Sequence, residues 1–352
     1  MFNLINNNNK EKNMKTLRKI GFLILSSVFV FANANAGELS VTGGAKATYV
    51  ITSSDGSETD DSAGKGLGLT NEFTLAANGE LDNGFTWSYG LDIDDATAQD
   101  DARLVIGMGG LGTVKLNISD GGIQKNFFAC KSAYGCSVDN GEGGSYTDSS
   151  DTGAMNGLRY TTPSGLPFDA VVNVQYAPST GLNATASGNS AGTLDAGAED
   201  AIAYSLDITP IEGLSLAASY FDPDSPNKAQ QHEGGAWGAV YTMGAFTLGY
   251  GQSYEAPGLD TNTTNDAEDY QNRILSVAFN VNDALSVSYE DISAEKNYET
   301  STSDVEMDVE SIQASYTIGG MTLSLANEEY DNHDYTTGNK MKETTFAMSI
   351  AF

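Results

Sequence analysis

An alternation of apolar and polar residues, repeated along most of the chain, is the feature that most constrains its fold. Successive side chains of an extended strand point to opposite faces, so a segment with this period of two has one apolar face. In "TTFAMSIAF", residues 344–352, the side chains of Phe346, Met348 and Ile350 share one face. The pattern predicts sixteen strands, near residues 39–51, 73–77, 85–93, 101–108, 113–118, 155–162, 168–176, 200–209, 214–221, 235–243, 246–254, 270–281, 285–294, 305–318, 321–330 and 341–352.

The connections between these strands alternate between short and long. The short ones include "GGLG", "NDA" and "GG", whereas the long ones are mostly acidic, as in "TSSDGSETDDSAGKG". An up-and-down sheet has this alternation when one rim faces a tight compartment and the other faces open solvent, and a soluble sandwich has no reason for it. Aromatic residues near the strand ends fit interfacial girdles. We therefore predict an all-β, 16-stranded antiparallel transmembrane β-barrel, whose closure leaves no strand edge unsatisfied in lipid.

The N-terminal residues have the features of a secretory signal. Three basic residues precede the apolar stretch "IGFLILSSVFVF", and an A-x-A sequence follows it, which predicts cleavage after Ala36. Initiation at Met14 is an alternative, because export does not require the asparagine-rich leader before it. The chain thus divides into a signal peptide, 1–36, and a barrel domain, 37–352. No apolar run approaches the roughly 20 residues that a membrane-spanning helix needs.

The exported part of the chain is strongly acidic. Loss of residues 1–36 removes five of the 17 basic residues and one of the 47 acidic residues, which leaves 12 basic residues, 46 acidic residues and a formal charge of −34. This charge argues against nucleic acid as a partner and against a polybasic membrane anchor. Because no D-x-D-x-D-G loop is present, we interpret clusters such as "SETDD" as solvated charge rather than as a metal site.

Three stretches of the sequence resemble the Gram-negative general diffusion porins. They are "GGLGTVKLN" at 109–117, "NGLRYTTPSGLPFDAVVNVQYAPS" at 156–179 and the last strand, which ends in phenylalanine. The first is similar to the glycine turn before the family's fifth strand, and the second to the R-Y-x-x-P strand-turn-strand after its constriction loop. The resemblance implies a multi-pass barrel in the outer membrane of a Gram-negative bacterium, in contact with lipids and lipopolysaccharide. It also implies a homotrimer through which small hydrophilic solutes and ions diffuse passively, without a cofactor or catalytic residues.

A stretch of 36 residues, 119–154, separates the first two of these motifs. Unstructured loops of this length are uncommon unless they are functional. The resemblance implies that this one folds into the lumen and narrows the channel, although it carries "CKSAYGC" in place of the family's P-E-F-G-G segment. The predicted constriction-loop carboxylates are Asp120, Asp139, Glu142, Asp148 and Asp151.

Alternation also assigns the charged residues that face the lumen. Arg103 points inward because Leu104 and the apolar residues at every second position from it point to lipid. The predicted pore-lining residues are Lys46, Glu72, Asp92, Asp94, Arg103, Lys115 and Arg159. Charges that line a pore set its ion selectivity. Because the inward acids and loop carboxylates outnumber the four bases, we expect moderate cation selectivity; simple solvation of the bases is the alternative.

Cys130 and Cys136 lie six positions apart in the predicted constriction loop. In an oxidising compartment this pair favours a local disulfide. A metal site is disfavoured, because neither histidine is nearby in sequence and no C-x-x-C spacing occurs.

Two other functions fit parts of the sequence. An outer-membrane barrel enzyme would need a base, for which His232 and His333 are the candidates, but no serine-histidine-acid arrangement or H-E-x-x-H motif is visible. A secreted acidic adhesin or calcium-binding protein would show a tandem repeat, and the sequence has none at a fixed period. Arg273 is expected on the outward face, either paired with lipopolysaccharide phosphates or at a loop edge.

Overall fold

The structure is a computed structural model that describes residues 27–28, 38–55, 64–94, 97–119, 122–140, 146–150, 152, 155–178, 200–224, 229–261, 266–299 and 303–352. The predicted signal peptide, 1–36, lies outside the described residues except for Ser27–Val28, which pairs with residues 40 and 41. The alternative start at Met14 also lies outside them. Within the described part of the chain, no helix is both long and apolar enough to cross a membrane.

Sixteen β-strands follow one another along the chain. They are β1 (Glu38–Asp55), β2 (Gly64–Glu80), β3 (Thr86–Asp94), β4 (Thr97–Gly107), β5 (Thr113–Ile118), β6 (Gly157–Thr161), β7 (Val171–Ala177), β8 (Ala201–Ile211), β9 (Leu214–Pro223), β10 (Glu233–Met243), β11 (Phe246–Ala256), β12 (Ala267–Asn280), β13 (Leu285–Tyr298), β14 (Val305–Ile318), β15 (Met321–Asp331) and β16 (Lys340–Ala351). Each strand is antiparallel to the next, and β16 pairs with β1. The closed barrel confirms the predicted all-β fold and its sixteen strands.

Pairing between the two ends of this strand series closes the barrel. The N–H of Gly43 donates to the carbonyl of Phe352 at 2.8 Å, and the N–H of Phe352 donates to the carbonyl of Gly43 at 2.9 Å. The Phe352 ring packs against Phe73, with 5.7 Å between ring centroids. A Cβ added to Gly43 would lie 2.9 Å from the Phe352 ring. Gly43 is therefore covered by aromatic side chains of its own chain.

The two faces of the sheet differ as the alternation predicts over much of its height. On β11, Phe246, Leu248 and Tyr250 are exposed on the outer face, whereas Thr247 and Ser253 are buried on the inner face. The same exposure of leucine, tyrosine and phenylalanine recurs on the outer face of strands throughout the barrel. Apolar side chains thus cover the outer face of the barrel, although the barrel has an interior in which they could have been buried.

The apolar alternation changes phase near one end of β12 to β16. On β14, Ile312 and Tyr316 are exposed, but Met307 and Val309, nearer the start of the strand, are buried on the opposite, inner face. The inner-face apolar cluster at this level comprises Phe127, Ile274, Ile292, Ala294, Met307, Val309, Tyr330, Tyr335 and Met341. The alternation predicts that apolar side chains face outward, so the sequence pattern did not indicate this internal cluster.

The wall of the barrel also differs in height. Strands β5, β6 and β7 have 6, 5 and 7 residues, whereas β12, β13 and β14 have 14 each. A strand rises about 3.4 Å per residue, so the long strands extend roughly 25 Å further along their own axes. We call the wall at β4 to β7, which contains the shortest strands, the low side, and the wall at β12 to β16, which adjoins the still longer β1 and β2, the high side.

Short connections form one rim of the barrel. Gly213, between β8 and β9, has a φ of 80°, and a Cβ added there would lie 2.5 Å from the Thr242 carbonyl oxygen. Glycine alone meets both conditions at no steric cost, because it lacks Cβ. Between β2 and β3, Asn83 Oδ1 accepts a hydrogen bond from the Phe85 N–H at 3.1 Å. These tight turns hold adjacent strands in register.

Candidate functional site

The connection between β5 and β6 lies against the inner face of the barrel. We call its described residues 122–140 and 146–150 the inner loop. The Lys125 N–H donates to Ser219 Oγ on β9 at 2.9 Å. The N–H groups of Lys131 and Ala133 donate to serine hydroxyls on β12 and β13 at 2.9 and 2.8 Å. The inner loop thus runs across several strands and replaces the water that would otherwise satisfy these polar groups.

Glycines on the inner face make room for this loop. A Cβ added to Gly249 on β11 would overlap the carbonyl oxygen of Ala129, and one added to Gly251 would lie 2.8 Å from Ala129 Cβ. On β10, a Cβ at Gly238 would lie 3.0 Å from the Phe128 ring. Any larger residue would push the loop backbone away from the wall. These glycines are a sequence signal for the path of the loop that alternation alone does not indicate.

The segment "CKSAYGC" is held by two buried side chains of the wall. Gln313 Oε1 on β14 accepts from the N–H groups of Tyr134 and Gly135 at 2.9 and 3.2 Å, and its Nε2 donates to the Gly135 carbonyl at 2.8 Å. Glu290 on β13 accepts from the Ser137 N–H at 2.9 Å. Backbone groups of a short loop therefore find inner-face partners, as buried N–H groups require.

Cys130 and Cys136 form a disulfide within this segment, with their Cα atoms 5.6 Å apart. Glu290 Oε1 lies 3.2 Å from Cys130 Sγ. This is a packing contact rather than a hydrogen bond, because a disulfide sulfur carries no hydrogen. In the disulfide form, neither sulfur is a thiolate that could bind a metal.

The inner loop is also fixed by apolar packing. Phe127 belongs to the internal cluster and packs near Tyr146, with 6.0 Å between ring centroids. Burying a side chain of this size stabilises the packed state by about 1.5–3 kcal/mol. Burial, and then the nearby Asp148 carboxylate, raise the pKa of Tyr146 well above its usual value. The predicted loop residue Asp148 is thus placed beside this anchor.

The second arm of the inner loop, 146–150, attaches to β11. Ser150 donates to Glu255 from both its N–H and its Oγ, at 2.9 and 2.7 Å. Glu255 also pairs with His232, which is buried against Phe221. The serine hydroxyl here donates to the carboxylate, whereas a nucleophilic serine must donate to histidine. The contacts among Ser150, Glu255 and His232 therefore hold the loop against the wall of the barrel.

A basic wall stands on β4, β5 and β6. Lys115 lies directly opposite Arg159, and Arg103 is diagonal to Lys115. Arg103 Nη1 pairs with Asp92 Oδ2 at 2.9 Å, and Thr74 donates to the same carboxylate at 2.8 Å. Arg159 Nε donates to Gln175 Oε1 at 2.6 Å. The structure thus brings together three predicted bases on the inner face of the low side, with the predicted acid Asp92 beside them on β3.

The remaining predicted residues take other positions. Lys46, on the inner face of β1, has its Nζ 5.6 Å from the Tyr134 ring centroid and is attracted by Asp139 of the inner loop. Glu72 and Asp94 lie directly opposite each other on β2 and β3. Asp120, Glu142 and Asp151 lie outside the described residues. Arg273 pairs with Asp291 on the outer face at 3.4 Å. His333, in the connection between β15 and β16, is buried beside Tyr330 of the internal cluster.

Two loop bases were not among the predicted site residues. Lys125 Nζ pairs with Asp207 on β8 at 2.8 Å. Lys131 Nζ lies 5.2 Å from the Phe128 ring centroid, and its side chain is half-buried. Burial, together with the charge of Lys125, lowers the pKa of Lys131 to about 8. Alternation does not apply in a loop, so only their position in the predicted constriction segment could have indicated them.

Comparison with known proteins gives a fold but no family. No protein-family model and no curated protein matches the chain. Solved structures do match: Salmonella typhi OmpF in complex with daunomycin has a TM-score of 0.66 and 16% identity, over 91% of this chain and 99% of that chain. A triple mutant of the Rhodopseudomonas blastica porin has a TM-score of 0.59 and 16% identity, over 89% of this chain and 100% of that chain. Another porin has a TM-score of 0.61 and 15% identity, over 90% and 100%. The chain therefore has the fold of the sixteen-stranded porins.

Proposed function

We propose that the protein is an outer-membrane porin that forms a water-filled channel for passive diffusion of small hydrophilic solutes and ions. The observation that carries this proposal is the position of the inner loop. It lies against β8 to β15, while the inward charges of β4 to β6 stand on a different part of the wall. A closed barrel with an apolar outer face and a charged inner wall suits lipid outside and water inside.

The inner loop supports a constriction in this channel. Its second arm and its disulfide segment are tied to different strands, so it spans the interior at one level rather than lining a single strand. Among its described residues, the loop approaches β1 at Lys46, which lies near the Tyr134 ring and is attracted by Asp139. Passage would therefore run between the loop and the low side of the barrel, past Arg103, Lys115 and Arg159.

Moderate cation selectivity is part of the proposal, and the charge balance supports it. Among the described residues, the inner face and inner loop carry twelve acids, Glu72, Glu80, Asp92, Asp94, Asp101, Asp139, Asp148, Asp207, Glu255, Glu290, Glu328 and Glu343. They carry seven bases, Lys46, Arg103, Lys115, Lys125, Lys131, Arg159 and Lys296. Acids thus outnumber bases, as the sequence alone suggested, although the two loop lysines make the margin smaller.

A homotrimer and lipopolysaccharide contacts extend the proposal. The outer face of β1 and β2 carries exposed aliphatic residues, of which Leu67 and Leu69 are 86% and 70% exposed. Burying such a surface against a second copy is favourable, at about 25 cal/mol per Å² of apolar area. On the high side, the outer-face charges around Arg273 would meet the polar headgroups of the outer leaflet.

Single-channel recording in planar bilayers tests the function. We expect discrete conductance steps, exclusion of sugars above a size limit, and a reversal potential in a potassium chloride gradient that favours potassium. Purified, heat-modifiable protein that produces no steps would contradict the porin proposal. Conductance steps with a chloride preference would be consistent with a channel but would contradict the proposed cation selectivity.

A further inference from the structure

Of the two bases on the described part of the inner loop, Lys131 differs from Lys125 in its partners. Arg103 and Lys125 form ion pairs with Asp92 and Asp207, at 2.9 and 2.8 Å. Lys131 makes a backbone hydrogen bond to Ser276 and a contact with the Phe128 ring. No carboxylate of the described residues forms an ion pair with its ammonium group.

The position of Lys131 makes its charge effective. The residue lies on the inner loop, inside a closed barrel, and its side chain is only partly buried. The ion-paired bases are largely neutralised at a distance by their own carboxylates. An unneutralised charge in a narrow, partly low-dielectric space acts strongly on a passing ion.

We infer that Lys131 is the loop residue that limits the cation selectivity of the channel, by repelling cations and by giving anionic solute groups a transient contact. This inference rests on the proposed porin function and deepens it. The ligand class is a carboxylate, phosphate or halide carried by a small solute. From the sequence, only carboxylates were expected from the constriction loop. The inference adds a positive charge from the same loop.

The surroundings of Lys131 determine how this charge responds to pH. The charged group that acts on it is Lys125 on the loop, which pairs with Asp207 on β8, while Glu290 on β13 contacts the neighbouring Cys130. The adjacent positions on β11 and β12, Gly249 and Ser276, do not titrate. Burial and the repulsion of Lys125 place the pKa of Lys131 at about 8. Its positive charge is therefore present at pH 6 and largely lost at pH 10.

Reversal potentials of the full-length protein in potassium chloride gradients test the inference. At pH 6, Lys131→Gln should raise the potassium-to-chloride permeability ratio about two- to threefold, because one nearby charge shifts an ion's energy by about the thermal energy. Lys131→Arg should keep the wild-type ratio at pH 6 and lose the rise that the wild type shows between pH 7 and 9, because a guanidinium stays charged. Lys342→Gln, on the outer face and paired with Glu329 at 2.6 Å, is the matched control and should change neither.

Distinct outcomes separate the two proposals. A wild-type protein without conductance would overturn the porin function, and this inference with it. Wild-type conductance with an unchanged reversal potential in Lys131→Gln would overturn the inference alone. If Lys131→Gln inserts poorly, the arginine variant still decides, since a pH step that persists in Lys131→Arg would assign the titration to another group.

Discussion

The low and high sides of the barrel share the alternating strand pattern, but their inner faces differ. On the low side, β5 to β7 are short, and the inner face presents Lys115, Arg159 and their neighbours. On the high side, β12 to β16 are long, and the inner face is covered by the inner loop over an apolar cluster. The difference shows that an inner face can be left uncovered or can serve as a packing surface, depending on whether a loop docks on it.

The largest expected effect comes from removing the apolar anchor of the loop. Phe127 is 8% exposed within the internal cluster. Phe127→Ala should cost the docked loop about 3–5 kcal/mol, because it leaves a cavity as well as losing buried area. We expect larger current fluctuations and a changed conductance in bilayers, while the barrel stays heat-modifiable.

Phe168→Ala is the control for this prediction, because Phe168 is 64% exposed in the short connection between β6 and β7. It should leave current noise unchanged. Equal noise in the two variants would mean that the high side does not hold the loop.

A second, smaller effect is expected from the disulfide. The Cys130–Cys136 bond closes a short ring, which limits the conformations of the undocked loop. In the chain-entropy description this stabilises the docked loop by about 2 kcal/mol. Reduction by a dithiol should raise current noise without unfolding the barrel. Mass spectrometry under non-reducing conditions should find no free thiol in the untreated protein, and finding free thiols would remove the basis of this prediction.

The basic wall of the low side should affect selectivity. Arg103→Ala removes one inward charge and frees its partner Asp92, so the potassium preference should increase about twofold. The matched control is Arg273→Ala on the outer face, which should leave the reversal potential unchanged. An unchanged reversal potential in Arg103→Ala would place the permeation path elsewhere.

The smallest expected effect concerns coupling between the two loop lysines. The charge of Lys125 contributes to the lowered pKa of Lys131. In Lys125→Gln this repulsion is absent, so the pKa of Lys131 should rise and the pH step in selectivity should move to higher pH. Reversal potentials recorded from pH 6 to pH 10 measure the midpoint, and a midpoint that moves to lower pH would contradict this coupling.

The strands were predictable from the sequence because a barrel with an apolar outer face requires the same alternation in every one of them. The outward orientation of Phe346 and Leu104 could be predicted because each lies in a period-two run that stays in phase. The inward orientation of Ile292 and Met307 could not, because their strands change phase where the outer face becomes charged and the inner face meets the loop. A local pattern carries no information about a contact with a distant loop.

Of the candidate site, only the residues on the strands of the barrel wall were predictable from the sequence. Arg103, Lys115 and Arg159 follow from alternation on their strands, and the structure places all three on the inner face. The role of Lys131 depends on which wall residues surround it. That depends on where the inner loop docks, through glycines and serines of β9 to β14 that are more than 80 positions away in sequence.

The most direct test of the two-sided interior is to compare the accessibility of one residue from each side. Val105 on β4 lies on the inner face next to Lys115, and Ser288 on β13 accepts a hydrogen bond from the loop residue Ala133 at 2.8 Å. Cysteine is introduced at each position in turn, and a charged, membrane-impermeant thiol reagent is added during bilayer recording. We predict that Val105→Cys reacts and loses current, whereas Ser288→Cys reacts slowly and keeps its current. Rapid block of Ser288→Cys with no block of Val105→Cys would contradict a channel along the low side and a docked loop on the high side.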